Sequence, residues 1–401
     1  VSPDRRVLVR LNSLELGGTQ INAVDLAAAL RAHGVESHLV GPRGSRPDGP
    51  SLLDVAAARG VTIEPYDPAP GLRAHARQLA EVADRVRADL VHVYGSWGGD
   101  RPVFWGPALG GRRPWVHTVY EMQVAPVVFR HVPLVVGTGY LLDEAVDRPG
   151  RTVLISPPVD TDADRPGGAD GGSGADGAAF RRELGLADGE VLLGIVSRLD
   201  TDMKALPVEI AIDAVRHLGD GVTLAVVGTG DAEARLRERA AKVNAALGRE
   251  AVRLLGPTAD PRPAYDASDM VLGMGGSAAR ALAFGTPLVV QGEAGWSCLF
   301  EPATAEGLAR NSYWSPDPVP DPVATLVDAV RPLLGDPARR IELGAFGREF
   351  ALGRFGLPAM AERLAALYEE SPRLYTAREW AADLAQEAGR VARKAAGRGT
   401  A

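Results

Sequence analysis

Short, nearly unbroken apolar runs alternate with stretches of helical period along most of this chain. In the first half the runs are Val7–Leu11, Ser37–Val40, Leu90–Tyr94, Trp115–Val119 and Leu134–Val136. In the second half they are Val191–Val196, Val222–Val227, Val252–Leu255, Met270–Leu272 and Leu288–Gln291. Alternation of this kind is the signature of βαβ units and a parallel sheet. Between the runs, Leu79, Val82, Ala83 and Val86 predict an amphipathic helix over about 73–88, and Leu236, Ala240, Val243 and Leu247 predict another over about 232–247. Beyond about residue 350 the pattern changes, and Phe350, Met360, Leu364, Leu367, Tyr368, Trp380 and Leu384 predict terminal helices instead of a further βα unit.

The plan is therefore α/β, with two Rossmann-like domains facing across a cleft and a set of C-terminal helices. The expected boundaries are 1–160 for the first domain, 161–180 for a flexible linker, 181–350 for the second domain, and 351–401 for helices that pack back across the domains. The linker is read from Asp164–Gly177, whose glycines and aspartates offer too little apolar surface to offset the entropy of ordering them. In doubly wound folds ligands bind outside the carboxyl ends of the strands, so the loops that follow each run are where chemistry is expected.

Composition narrows the classes. With 401 residues, 46% hydrophobic and 24% charged, the chain is an ordinary globular protein, and no stretch approaches the ~20 apolar residues of a spanning helix. A net charge of −7 lacks the basic balance a nucleic-acid binder needs. The single cysteine, Cys298, forms no internal disulfide or thiolate metal cluster and reads as packing, and the seven histidines include no pair with the spacing of a zinc helix. No charged-then-apolar leader precedes the first strand. The expectation is a reduced, cytoplasmic protein without a protein-bound metal. Arg390, Arg393, Lys394 and Arg398 read as a solvated tail, and Trp97, Phe104, Trp105 and Trp296 as core packing or as a flat apolar surface for a ligand.

Three loops carry candidate chemistry. After the first run, Gly17 and Gly18 allow close backbone approach, and Thr19 is placed to cap the helix that follows. After Val196 come Arg198 and Lys204, two cations at a strand end that could grip a diphosphate. After Leu272 the segment Gly273–Pro287 reads as a glycine turn, with Ser277 as N-cap and Gly285 as C-cap of a short helix. Free N–H groups at Gly275, Gly276 and Ser277 would cradle a phosphate or sugar hydroxyls, and Gly292–Trp296 would line the same rim. The Gly228 and Gly230 turn lacks the third glycine of a dinucleotide fingerprint, so it is not read as an NAD site.

Taken in order, these motifs resemble family 4 retaining glycosyltransferases of the GT-B fold over nearly the whole chain. Gly17 and Gly18 match the N-terminal glycine loop, His92 the strand-end histidine, Ser156–Asp160 the hinge segment, and Arg198 with Lys204 the donor-binding cation pair. Gly228, Gly230, Gly256, Asp269 and Gly285–Pro287 complete the series. The resemblance implies a nucleotide-diphosphate sugar as co-substrate, held by the second domain. It also implies a small-molecule or glycan acceptor on the first domain, and retained anomeric configuration without a divalent metal. Arg198 and Lys204 would be the catalytic cations. Gly17, Gly18, Gly228, Gly230, Gly275, Gly276, Ser277 and Arg280 would lie on the donor side, and His92, Tyr120 and Glu121 on the acceptor side.

Two departures stand out. The family carries two spaced glutamates around its donor helix, whereas this chain has none between Glu250 and Glu293 and places Arg280 at the second position. A guanidinium donates five hydrogen bonds and accepts none, so it reverses the carboxylate's role. The form G-M-G-G-S-A-x-R-A resembles that of a subset of relatives, which implies a subfamily trait; Arg280 is then read as a contact to an anionic part of the donor or as half of a structural pair with Asp269 or Glu293. The other departure is Tyr120, which stands where the family has a histidine and is a poor general base with a pKa near 10. Two other readings fit the same motifs: a sugar-nucleotide epimerase or hydrolase on this fold, and a catalytically silent sugar-nucleotide-binding subunit. A homodimer is compatible with all three, although no interface signature is visible.

Overall fold

In the computed structural model, the described residues are 4–15, 17–44, 51–95, 100–121, 123–167, 176–258 and 260–395. They form two compact units: Val1–Pro158 together with Leu357–Ala401, and Val159–Gly356.

The first unit holds a seven-stranded parallel sheet of β1 (Arg5–Leu11), β2 (Val35–Pro42), β3 (Ile63–Tyr66), β4 (Leu90–Tyr94), β5 (Trp115–Val119), β6 (Leu134–Val136) and β7 (Thr152–Leu154), ordered β3-β2-β1-β4-β5-β6-β7. The second holds β8 (Val191–Val196), β9 (Val222–Val227), β10 (Val252–Gly256), β11 (Met270–Gly273), β12 (Leu288–Gln291) and β13 (Ser297–Leu299), ordered β10-β9-β8-β11-β12-β13, with β13 antiparallel to β12. Helices cover both faces, which is why the central strands are continuous apolar runs. In each sheet the strand order reverses once, between β1 and β4 and between β8 and β11, and at such a switch point the loops part to leave a crevice.

Every strand expected from an apolar run is present. The three that carried no such signal, β3, β7 and β13, are short. The edge strand β3 contains a proline and a glutamate in four residues, and β7 is half-buried throughout. The predicted helices occur at Leu72–Arg85 and Glu233–Leu247.

The boundaries move. The helix Pro337–Phe355 runs past residue 350, because Phe346, Phe350, Ala351 and Phe355 pack in the second unit's core. The chain re-enters the first unit with the helix Leu357–Leu374, which puts Met360, Ala361, Leu364, Leu367 and Tyr368 against Val9, Leu11, Leu90 and Tyr94. Much of the expected linker is also ordered structure, with Thr161 and Asp164 buried in the second unit. Its residues 168–175 lie outside the described set, as do Trp97 and Arg398.

The last helix, Ala377–Ala395, contributes Trp380 and Leu384 to the first unit's core and buries two carboxylates one turn apart. Asp383 accepts hydrogen bonds from the Tyr375 hydroxyl at 2.6 Å and from the His131 ring at 2.7 Å. Glu387 accepts from Arg101 Nε at 2.6 Å and Trp105 Nε1 at 3.2 Å. Arg390, expected in a solvated tail, instead pairs with Glu387, donates to the Val127 carbonyl at 2.8 Å, and sits 5.3 Å from the Phe129 ring centre. No helix among the described residues is long and apolar enough to cross a membrane.

Candidate functional site

In the second unit, four loops follow neighbouring strands on the carboxyl side of the sheet: Ser197–Lys204 after β8, Gly228–Asp231 after β9, the Met274 and Gly275 turn after β11, and Gly292–Trp296 after β12. The first two are fastened together. Leu199 N–H donates to the Thr229 carbonyl at 2.9 Å, Ala232 N–H to the Leu199 carbonyl at 3.0 Å, and Thr201 N–H to Asp231 Oδ1 at 2.9 Å. A Cβ on Gly228 would lie 1.8 Å from the Ser197 carbonyl oxygen, and one on Gly230 2.4 Å from that of Leu199. These two glycines are thus required for loop-on-loop contact, a role expected for neither.

That contact positions the cations. The Arg198 guanidinium is 75% exposed and pairs with Asp200 at 2.9 Å. Lys204 occupies the N-cap position of the helix Ala205–Ala214 and is half-buried. Burial, and next the positive charge of Arg198, hold its ammonium below the usual lysine range, while Asp200 and Glu293 act in the opposite sense. Glu293 is itself engaged by Trp314 Nε1 at 3.3 Å. Two cations and the positive end of a helix dipole share one corner, an arrangement that repels itself and attracts an anion.

The β11 turn differs from expectation in its cap. Gly275 is the N-cap, at φ +56° and ψ −128°, a region essentially closed to residues with a side chain. Ser277 lies inside the helix Gly276–Ala283, with its hydroxyl 3.3 Å from that of Tyr265. The Gly275 N–H is taken by the Tyr313 carbonyl at 3.1 Å. The first-turn N–H groups of Gly276 and Ser277 have no acceptor within the helix, and a Cβ on Gly276 would meet nothing within 4 Å.

Arg280, one turn further on, pairs through Nε with Asp164 at 2.7 Å. Neither expected structural partner is used: Asp269 is held by Arg181 at 2.9 Å, and Glu293 by Trp314. Burial raises the Asp164 carboxyl above its usual range against the pull of Arg280. Asp164 was missed because it sits in a glycine-rich stretch whose composition reads as disorder. Cys298 lies half-buried in β13 beside the core.

In the first unit the expected acceptor-side residues are largely enclosed. His92 is fully buried, between the Tyr368 hydroxyl at 2.6 Å and Thr118 Oγ1 at 2.7 Å. Alternation along β4 puts Leu90, His92 and Tyr94 on the face that the helix Leu357–Leu374 covers, which encloses His92 on the helix side of the sheet. The Tyr120 ring stands edge-on to Tyr94, and its hydroxyl is buried without a partner among the described residues. Burial holds that phenol well above its ordinary range. Glu121 is half-buried. Gly17, not Thr19, is the N-cap of the helix Gly18–Ala29, and a Cβ on Gly18 would meet nothing within 4 Å.

Known proteins share this architecture. Residues 17–158 match the family described as "Glycosyl transferase 4-like domain". A crystal structure of Anabaena HepE in complex with UDP superposes with a TM-score of 0.67 at 18% identity, covering 91% of this chain and 99% of that one. The chain has the GT-B fold. A glycosyltransferase from Rickettsia africae gives a TM-score of 0.68 at 14% identity, covering 92% and 98%. A Listeria monocytogenes structure described as a UDP-N-acetylglucosamine 2-epimerase gives 0.55 at 15%, covering 93% and 98%. A search of curated proteins by sequence gives no match. These likenesses identify the GT-B architecture, and the chemistry has to be argued from the loops above.

Proposed function

We propose that this protein is a retaining glycosyltransferase that takes its sugar from a nucleotide-diphosphate donor bound at the carboxyl edge of the second unit's sheet. The observation that carries the reading is Lys204, a half-buried lysine at a helix N-terminus beside a second cation, Arg198. A diphosphate relieves that mutual repulsion.

In the transfer, the bond between the anomeric carbon and the β-phosphate oxygen breaks and a bond from the acceptor hydroxyl oxygen forms on the same face. The hydroxyl proton passes to the departing phosphate, so no protein base is required. Tyr120 is unsuited to that task, its hydroxyl being buried and hard to ionise. Charge that develops on the leaving diphosphate falls to Arg198 and Lys204 without a metal, and Gly276 and Ser277 offer N–H groups to the sugar or distal phosphate. The match of residues 17–158 to a glycosyltransferase-like domain supports an acceptor role for the first unit.

The test is calorimetric binding of UDP, GDP, ADP and dTDP to the wild type and to Arg198→Ala/Lys204→Ala. UDP leads the panel because the HepE structure holds it. Each charge-assisted contact contributes about 1.5–3 kcal/mol, so the double variant should weaken the bound nucleotide on the order of 100-fold or more. No binding by any of the four sinks the reading. The likeness to a UDP-N-acetylglucosamine 2-epimerase favours a second reading, epimerisation or hydrolysis of the same donor. Turnover of a sugar nucleotide with no acceptor present would replace transfer with that activity.

A further inference from the structure

Alternation along β1 sets Val7, Val9 and Leu11 on one face of the first sheet and Leu8 and Arg10 on the other. Strand register then aligns Arg10 with Val93 of β4, and Val93 with His117 of β5, in one row across the switch point. Arg10 is 4% exposed, and its Nη1 is buried with no partner among the described residues. Its Nε lies at the long distance of 3.5 Å from the Tyr66 hydroxyl, which in turn meets His75 Nε2 at 3.0 Å. His117 Nε2 donates to the Gly95 carbonyl at 2.9 Å, which leaves Nδ1 of the neutral ring as a lone-pair acceptor, also buried and unpartnered.

Among the described residues no carboxylate pairs with Arg10. Glu64, near Tyr66 on β3, is engaged by Arg85 at 2.7 Å and His38 at 2.9 Å, and Asp67 pairs with Arg43 at 3.4 Å. Both histidines of the cluster are held neutral, chiefly by burial, and the charge of Arg10 adds to that effect. An unpaired buried guanidinium is a liability to the fold, and it stands beside a switch point where ligands bind.

We propose that Arg10, Tyr66, His75 and His117 form a site for an oxyanion, a phosphate monoester in first place, carried by the acceptor. Bare phosphate oxygens accept from Arg10, and the P–OH of the monoanion donates to His117 Nδ1. A carboxylate satisfies Arg10 alone and should bind more weakly. His75, which meets the Tyr66 hydroxyl, is half-buried. Assigning the anion to an acceptor rests on the transfer reading above; the oxyanion site itself does not.

The test uses the full chain saturated with UDP, with inorganic phosphate and acetate as probes against chloride at matched ionic strength. Thermal midpoints are compared for the wild type, Arg10→Met and Arg10→Lys. Phosphate should raise the wild-type midpoint more than that of Arg10→Met, with acetate giving a smaller difference and Arg10→Lys falling between. Equal phosphate responses in the wild type and Arg10→Met would leave only general salting and overturn the site. Should Arg10→Met not fold, the wild type alone decides by histidine NMR. Phosphate at the cluster should move the His75 titration upward by about one pH unit, and an unmoved His75 overturns the proposal. Failure of UDP to bind would sink the transfer reading while this local signal stays readable.

Discussion

The carboxyl edges of the two sheets are built on one topology yet handle charge in opposite ways. In the second unit the cations stand on loops beyond the strands: Arg198 is 75% exposed, Lys204 is half-buried, and the surroundings of Gly276 are open. In the first unit the polar groups lie within the strands themselves. Arg10, His92 and His117 are all enclosed, and a C-terminal helix closes the face on which His92 lies. A loop cation meets ligand at little expense to the fold, whereas a strand cation has to be compensated from inside. Under the proposed function, the second edge would be a docking surface for a diphosphate, whereas the polar groups of the first are enclosed.

The glycines give the sharpest way to break this comparison. Gly228 has φ +144° and its would-be Cβ overlaps the Ser197 carbonyl, so Gly228→Ala should destabilise the protein by about 3 kcal/mol or more and lose donor binding along with the fold. Gly276→Ala adds a methyl group to open space and should leave the melting temperature within a few degrees while donor affinity falls. A Gly228→Ala protein as stable as the wild type would remove the distinction between glycines that join loops and glycines that face ligand.

The next effect belongs to the first unit. Asp100 is 2% exposed, one carboxylate oxygen lacks a partner among the described residues, and burial raises its pKa to about 6. Because the folded value exceeds the unfolded one, the native state binds more protons between about pH 4 and 6, and stability is lost as pH rises through that window. Asp100→Asn should therefore be more stable than the wild type above pH 6, by up to about 3 kcal/mol, with the difference fading towards pH 4. Urea unfolding across this range reads the effect directly, and a pH-independent difference would show that Asp100 is already paired.

The smallest expected effect concerns Arg280. It is 42% exposed and its partner Asp164 6%, so solvent screens the pair, and a double-mutant cycle of Arg280→Ala and Asp164→Ala should give a coupling of about 1 kcal/mol. UDP affinity should change less than threefold in Arg280→Ala. A tenfold loss would return Arg280 to the donor and place it with Arg198 and Lys204.

Much of this was legible in the chain. Continuous apolar runs announce doubly covered strands, and the placement of Arg198, Lys204 and the glycine turn at strand ends was legible because loop residues follow strand ends in sequence as they do in space. The partner of Arg280 could not be found, since Asp164 is 116 residues away inside a glycine-rich segment. The fate of His92 was also hidden, because its enclosure depends on Tyr368, 276 residues later. Arg10 did leave a trace, as the one charge between Val7 and Leu11 in a strand with both faces buried.

By itself, then, the sequence determined the alternation of strands and helices, the two sheets, and which loops carry cations and glycines, since all of these follow from local period and backbone freedom. Tertiary structure alone decided which polar side chains are open and which are sealed. Burial is a property of what packs on a strand from far along the chain, and no local pattern encodes it.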